Sequence, residues 1–167
     1  MDQQVKDTKN MSLFGELDVA GVNDDPFFID DGTYPAVCLE MKQGEKNGNK
    51  YVSIRWKVQE PGSQFDGRTP QNYFAMPDLN GVTSMDDLSV EDQDKIKRLR
   101  RCVRLAFDVP EDRISSITPA DVVGRKVYIT IKNNADKEDP TKMYTNVVDW
   151  KSEEAFSEQA KQFDTDF

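Results

Sequence analysis

Along Tyr51-Val-Ser-Ile-Arg-Trp-Lys57, rings and cations alternate with apolar side chains, and the same alternation returns in Lys126-Val-Tyr-Ile-Thr-Ile-Lys132. A period of two is that of a β-strand, whose successive side chains point to opposite faces. With Val52, Ile54, Trp56 and Val58 inward on the first stretch, and Val127, Ile129 and Ile131 inward on the second, Tyr51, Arg55, Lys57, Lys126, Tyr128 and Lys132 share the outward side. A third stretch, TYPAVCLEMK, is expected to turn Val37, Leu39 and Met41 one way and Tyr34, Ala36, Cys38, Glu40 and Lys42 the other, which adds Tyr34 to the set. Rings and cations on neighbouring strands suit a single-stranded nucleic acid. Bases stack on the rings, each stack worth roughly 1–3 kcal/mol and tolerant of sequence, while Lys and Arg follow the phosphates. A single tyrosine on a half-exposed strand is more often sheet packing; the reading rests on the set. Tyr73 and Phe74 are adjacent, so one belongs to the core and one to the surface. Tyr144 shares the parity of Asn146 and Trp150, but the Val147-Val148 pair leaves the inward face of its strand open.

The other stretch with chemistry is the last, KQFDTDF, in which Phe163 and Phe167 are set among Asp164 and Asp166. One reading is a frayed helix end, since terminal residues are ordered only when something holds them. The other is a short linear motif: the acids steer the tail to a basic pocket and Phe167 fills it.

Other chemistries find little support. The chain has no histidine, so imidazole triads and most transition-metal sites are excluded. Cys38 and Cys102 form no CxxC pair, which argues against a zinc site or a disulfide framework. Asp24, Asp25, Asp30 and Asp31 would suit a hard cation, and with it a metal-dependent nuclease, but NDDPFFIDDGTY lacks the spacing and closing glutamate of an EF-hand. No phosphate-binding glycine loop or nucleophile elbow is present. The expectation is a binding protein without a cofactor rather than an enzyme.

The elements that must position these residues follow from pattern and punctuation. With 167 residues the chain is long enough for a real core, while 37% hydrophobic and 32% charged residues suggest a compact centre with solvated arms. The net charge of −9 is divided unevenly. Residues 1–31 hold eight acids and two lysines, residues 32–150 hold eighteen of each sign, and residues 151–167 hold five acids and two lysines. The centre is neutral and free to carry a basic face; the ends are acidic and suited to compete with nucleic acid for it. The division expected is an acidic N-terminal arm over 1–26, a binding domain over 27–150 and an acidic tail over 151–167. No apolar run reaches transmembrane length and the first residues are polar, so a cytoplasmic protein is expected.

Within the centre, Asn47-Gly48 supplies the positive backbone dihedrals of a hairpin, in a turn read over GEKNGNK. Pro70 argues that the third strand lies at an edge or carries a bulge. From Asp92 to Phe107, Ile96, Leu99, Cys102, Val103, Ala106 and Phe107 recur at spacings of three and four, an amphipathic helix started by Ser89 and Asp92. Its six cations are read first as a solvated face. Trp56 has core parity. Three strands, a helix and two strands is the order of an OB-fold, so the fold expected is all-β with one main helix: a five-stranded barrel with the helix between strands 3 and 4.

The stretch DDGTYPAVCLEMKQGEKNGNKYVSIRWKVQEPGSQFDGRTPQNYF, followed by a helix and VVGRKVYITIKNNADKEDPTKMYTNVVDW, resembles the small OB-fold single-stranded DNA-binding proteins of tailed bacteriophages. The likeness covers Asp30 to Trp150, and Arg68, in the GRT that opens the third strand, joins the candidate set. The resemblance implies a protein that coats single-stranded DNA without sequence preference during replication or recombination in the host cytoplasm. It also implies an aromatic-ended acidic tail, Phe163, Asp164, Asp166 and Phe167, that recruits a polymerase or helicase, and it is compatible with a homodimer. FDTDF has only two aspartates, a weaker acidic tract than the family often shows. The alternative is a protein-interaction or virion component on the same barrel.

Overall fold

Asn47 and Gly48 adopt φ of 54° and 80°, the left-handed pair that a two-residue hairpin turn requires. They join β1 (Gly32–Lys46) to β2 (Asn49–Val58), so the turn is confined to these two residues and Gly44 belongs to the strand. The computed structural model describes residues 12–20, 27–139 and 142–158. It continues with β3 (Gln71–Met76), α1 (Val90–Phe107), the short α2 (Pro119–Val122), β4 (Lys126–Ala135) and β5 (Met143–Ser152). The strands form one antiparallel sheet in the order β3-β2-β1-β4-β5. β3 is an edge, as Pro70 foretold, and β5 is the other. Main-chain pairing does not close the sheet.

What brings the two edges together is a side chain. Asn72 on β3 donates through Nδ2 to the carbonyl of Val147 on β5 (3.0 Å). Its Oδ1 accepts from both indoles, Trp56 at 2.8 Å and Trp150 at 3.1 Å. α1 packs beneath, burying Cys102, Val103, Ala106 and Phe107 against β3, β4 and β5. Phe107 stacks on the fully buried Trp56 with ring centroids 5.7 Å apart. The helix opens on Ser89, whose Oγ accepts from the Asp92 N–H, and closes on Asp108 at φ 51°. Gly124, at φ 90°, turns the chain from α2 into β4.

Two bulges set faces that alternation alone placed incorrectly in β1 and left open in β5. β1 slips register between Cys38 and Glu40, so Tyr34, Ala36 and Cys38 are buried before the slip and Met41 turns inward after it. Leu39 is left exposed. The expected parity therefore holds for Met41 and is reversed in the first half of the strand. The bulge adds one residue, and a one-residue slip moves every following side chain to the other face. Tyr34 is accordingly a core ring, 8% exposed, packed edge-on to Phe65 at 5.9 Å with its hydroxyl donating to the Asp30 carbonyl at 2.7 Å. The second slip, between Thr130 and Ile131, spans Val148, so Val147 and Trp150 both face the core. β5 runs on to Ser152, whose Oγ accepts from the Ala155 N–H as residues 153–158 begin a helical turn.

Among the described residues, no helix is long and apolar enough to cross a membrane.

Candidate nucleic-acid interface

The outward face of the sheet can be laid out from the register. Tyr51, Ser53, Arg55 and Lys57 come from β2; Ser53 sits opposite Tyr73 of β3, and Arg55 opposite Gln71. On the other side of β2, Gly44, Lys42 and Glu40 of β1 lie opposite Tyr51, Ser53 and Arg55. Of these, Glu40, Lys42, Tyr51, Ser53, Arg55, Gln71 and Tyr73, with Lys46, line a groove of about 250 Å³. Tyr51 and Tyr73 are stacked in it, ring centroids 4.7 Å apart and planes 27° from parallel. Tyr73 is 55% exposed, so it is the surface member of the Tyr73-Phe74 pair, while Phe74 packs toward Trp150.

The outward face continues across β1. Val37 is paired with Lys57 on one side and Lys126 on the other, which puts two exposed cations about 10 Å apart across three strands. Among the described residues Arg55, Lys57, Lys126, Lys42 and Lys46 form no ion pair, in contrast to Lys50 with Asp78 and, on α1, Lys95 with Asp92, Arg100 with Glu111 and Arg101 with Asp149. The helix spends half of its six cations within the fold, and the sheet face does not.

Next to Lys126, Tyr128 is paired with Pro35 and half-buried. Its ring is covered by Phe156 from the segment after β5, centroids 3.8 Å apart and planes 12° from parallel. A cavity of about 160 Å³ beside it is lined by Lys126, Gln59 and Glu153. Periodicity of the strands gave no sign of Phe156, which lies beyond them in sequence.

The remaining candidates lie apart. Lys132 and Tyr144 are on the outward side of β4 and β5 beyond the second bulge. The Tyr144 hydroxyl donates to Asp136 at 2.9 Å, and this bond to a carboxylate raises its pKa. Tyr144 lines a separate cavity of about 420 Å³ with Phe27, Met143 and Pro70. Lys132 lies near Asp31 and helps to hold that carboxyl below its usual range. The larger causes there are Asn133, whose side-chain and main-chain N–H groups both donate to Asp31 at 2.8 Å. Arg68 is half-buried before β3, its carbonyl accepting from Val58, and it is not among the residues lining the groove. Tyr34 is in the core and contributes no surface ring.

Asp31 is thus a brace between β1 and β4. Asp24 and Asp25 lie outside the described residues, as do Phe163, Asp164, Asp166 and Phe167. Among the described residues, no group of three or more acidic or thiol side chains comes together to hold a metal ion.

The structure therefore brings together Tyr51, Tyr73, Arg55, Lys57, Lys126 and Tyr128, and leaves Tyr34, Arg68, Lys132 and Tyr144 elsewhere. The residues that sequence reading did not select are Lys42 and Lys46, Gly44 under Tyr51, and Phe156 over Tyr128. Lys42 had the right parity; Gly44 was read as part of the turn. No family model matches this chain, and no curated protein matches it.

Proposed function

We propose that this chain is an OB-type protein that binds single-stranded DNA without sequence preference, on the face formed by β2, β3 and the middle of β1. The observation that carries this reading is the stacked Tyr51–Tyr73 pair set among Arg55, Lys42 and Lys46. Rings serve any base and unpaired cations serve the phosphates, a combination that binds single strands and is tolerant of sequence. The element order, with α1 between β3 and β4 and the edge strands tied at Asn72, supports a barrel in which the β2–β3 face is the binding face. On this reading the protein acts in phage DNA replication or recombination. Its acidic tail, with Phe163, Asp164, Asp166 and Phe167, recruits a polymerase or helicase, and a homodimer is compatible with the family resemblance.

A second reading, a protein-interaction or virion component without a nucleic-acid role, is favoured by one observation: Phe156 already covers Tyr128. One titration separates the two. Fluorescent oligo-dT and a duplex of equal length are added at two salt concentrations. Tight, salt-sensitive binding to the single strand is expected; no binding at micromolar protein supports the second reading, and magnesium-dependent cleavage of the probe would revive the nuclease.

A further inference from the structure

Gly44 stands in β1 directly opposite Tyr51. Glycine in a strand interior costs about 0.5–1 kcal/mol relative to alanine, so its presence asks for a reason. Backbone conformation is not the reason, since Gly44 is absent from the positive-φ glycines, unlike Gly48 and Gly124. Space is. A Cβ at Gly44 would fall inside 3.0 Å of Cζ, Oη and Cε1 of Tyr51, and among the described glycines no other shows such a clash. Tyr51 therefore lies down across β1 with its tip on the bare backbone of Gly44, instead of standing away from the sheet. In that pose it stacks with Tyr73. Of the two rings Tyr73 is the more exposed and Tyr51 is half-buried.

We infer that Gly44 is a positioning residue for the stacking platform: it seats Tyr51, and Tyr51 supports the Tyr73 ring that a base meets. This rests on reading the face as a single-strand site, and it divides the roles within it. Tyr73 is the contact residue, whereas Tyr51 and Gly44 act through it. The atoms a Cβ would strike are the free end of a flexible side chain. Gly44→Ala is therefore relieved by rotating Tyr51 off β1, not by moving the sheet, so the fold survives while the platform is lost.

The test uses full-length wild type, Gly44→Ala, Tyr51→Ala, Tyr73→Ala and the Gly44→Ala/Tyr51→Ala double variant. Each is measured by far-UV and near-UV circular dichroism and by oligo-dT titration. Gly44→Ala is expected to keep the far-UV spectrum, change the near-UV tyrosine band, and weaken oligo-dT binding roughly three- to tenfold with an unchanged salt slope, less than the loss of a whole stacking ring. In the Tyr51→Ala background the same substitution should be silent, because there is no ring left to displace. The inference is overturned if Gly44→Ala leaves the near-UV band and the affinity untouched, if its cost in the Tyr51→Ala background equals that in wild type, or if it unfolds the protein. Should wild type bind no oligo-dT, the nucleic-acid reading fails by itself, and the near-UV comparison alone decides whether Gly44 seats Tyr51.

Discussion

Phe156 lies face to face on Tyr128, with 3.8 Å between ring centroids. The same segment brings Glu153 into the cavity with Lys126. On the proposed reading, a base would take the position of the Phe156 ring and a phosphate that of the Glu153 carboxylate. Phe156 covers one face of the half-buried Tyr128 ring.

If Phe156 and a base compete for Tyr128, Phe156→Ala should tighten oligo-dT binding about two- to tenfold, since an aromatic pair is worth roughly 0.5–1.5 kcal/mol beyond its buried area. Tyr128→Ala should then cost affinity in the Phe156→Ala protein and little in wild type. Equal affinities across all four combinations, measured by fluorescence anisotropy, would assign the pair a purely structural role.

Cations and rings on the face should separate by salt. Arg55→Ala and Lys126→Ala are each expected to flatten the plot of log affinity against log salt by about 0.7, one phosphate contact on a single strand, and to do so for all sequences alike. Tyr73→Ala should lower affinity with little change in slope. Titrations of oligo-dT at four salt concentrations check this, and unchanged slopes for both cation variants would mean that the phosphates run elsewhere.

Asn72 satisfies two indole N–H groups and the Val147 carbonyl at once. Asn72→Ala leaves those groups without their partner in a place where Trp56 is fully buried and Trp150 nearly so. At about 1–3 kcal/mol for each buried unsatisfied group, a loss of about 3 kcal/mol or more is expected. That corresponds to a drop in melting temperature of roughly 6–12 °C for a domain of this size. A thermal melt followed by tryptophan fluorescence checks it; a shift of a degree or two would show that water replaces the amide.

Burial pushes the Cys38 thiol up to about 11 and Cys102 well above its ordinary value. Neither thiol should react with a disulfide reagent at pH 8 while the protein is folded, and both should react once it is unfolded. Both pKa values are higher folded than unfolded, so the folded state holds its protons more tightly. Their contribution to stability is complete below the ordinary thiol value of 9.0 and is lost as pH rises from there through about 11 for Cys38. Denaturation midpoints should accordingly fall above pH 9, and a Cys38→Ala protein should show a shallower fall. Equal slopes would assign the alkaline loss to other groups.

Deleting residues 162–167 removes two acids and both terminal rings from the chain. On the proposed reading the tail competes with DNA for cations, so the truncated protein should bind single strands more tightly, and more so at low salt. It should also lose its replication partner. Phe167→Ala should lose the partner while leaving DNA affinity nearly unchanged. A truncation that binds no better at low salt removes the competition, and partner capture by Phe167→Ala removes the docking role of the ring.

Much of the framework was legible in the residues themselves. Val52, Ile54, Trp56 and Val58 alternate without interruption, and so do Val127, Ile129 and Ile131; α1 shows its apolar stripe and its Ser89 cap; Asn47-Gly48 announces its turn. Each of these is a local signal, decided by steric and solvation preferences within a few residues. Strand order, the face of Tyr34, the seat of Tyr51 and the covering of Tyr128 were not local. The bulges near Leu39 and Val148 are choices the chain makes to satisfy partners on two sides at once, with Cys38 exchanging main-chain hydrogen bonds with Gly124 and Arg125 while β2 continues along β1. Alternation cannot signal them, because one extra residue reverses the face without changing composition. Gly44 looks like turn punctuation until Tyr51 is placed across from it, and Asn72 looks like a polar strand residue until two indoles and a carbonyl converge on it. The sequence by itself determined which residue types were available to stack and to hold phosphate. Only the tertiary structure decided which of them share a surface, because that depends on register and on contacts between residues far apart in the chain.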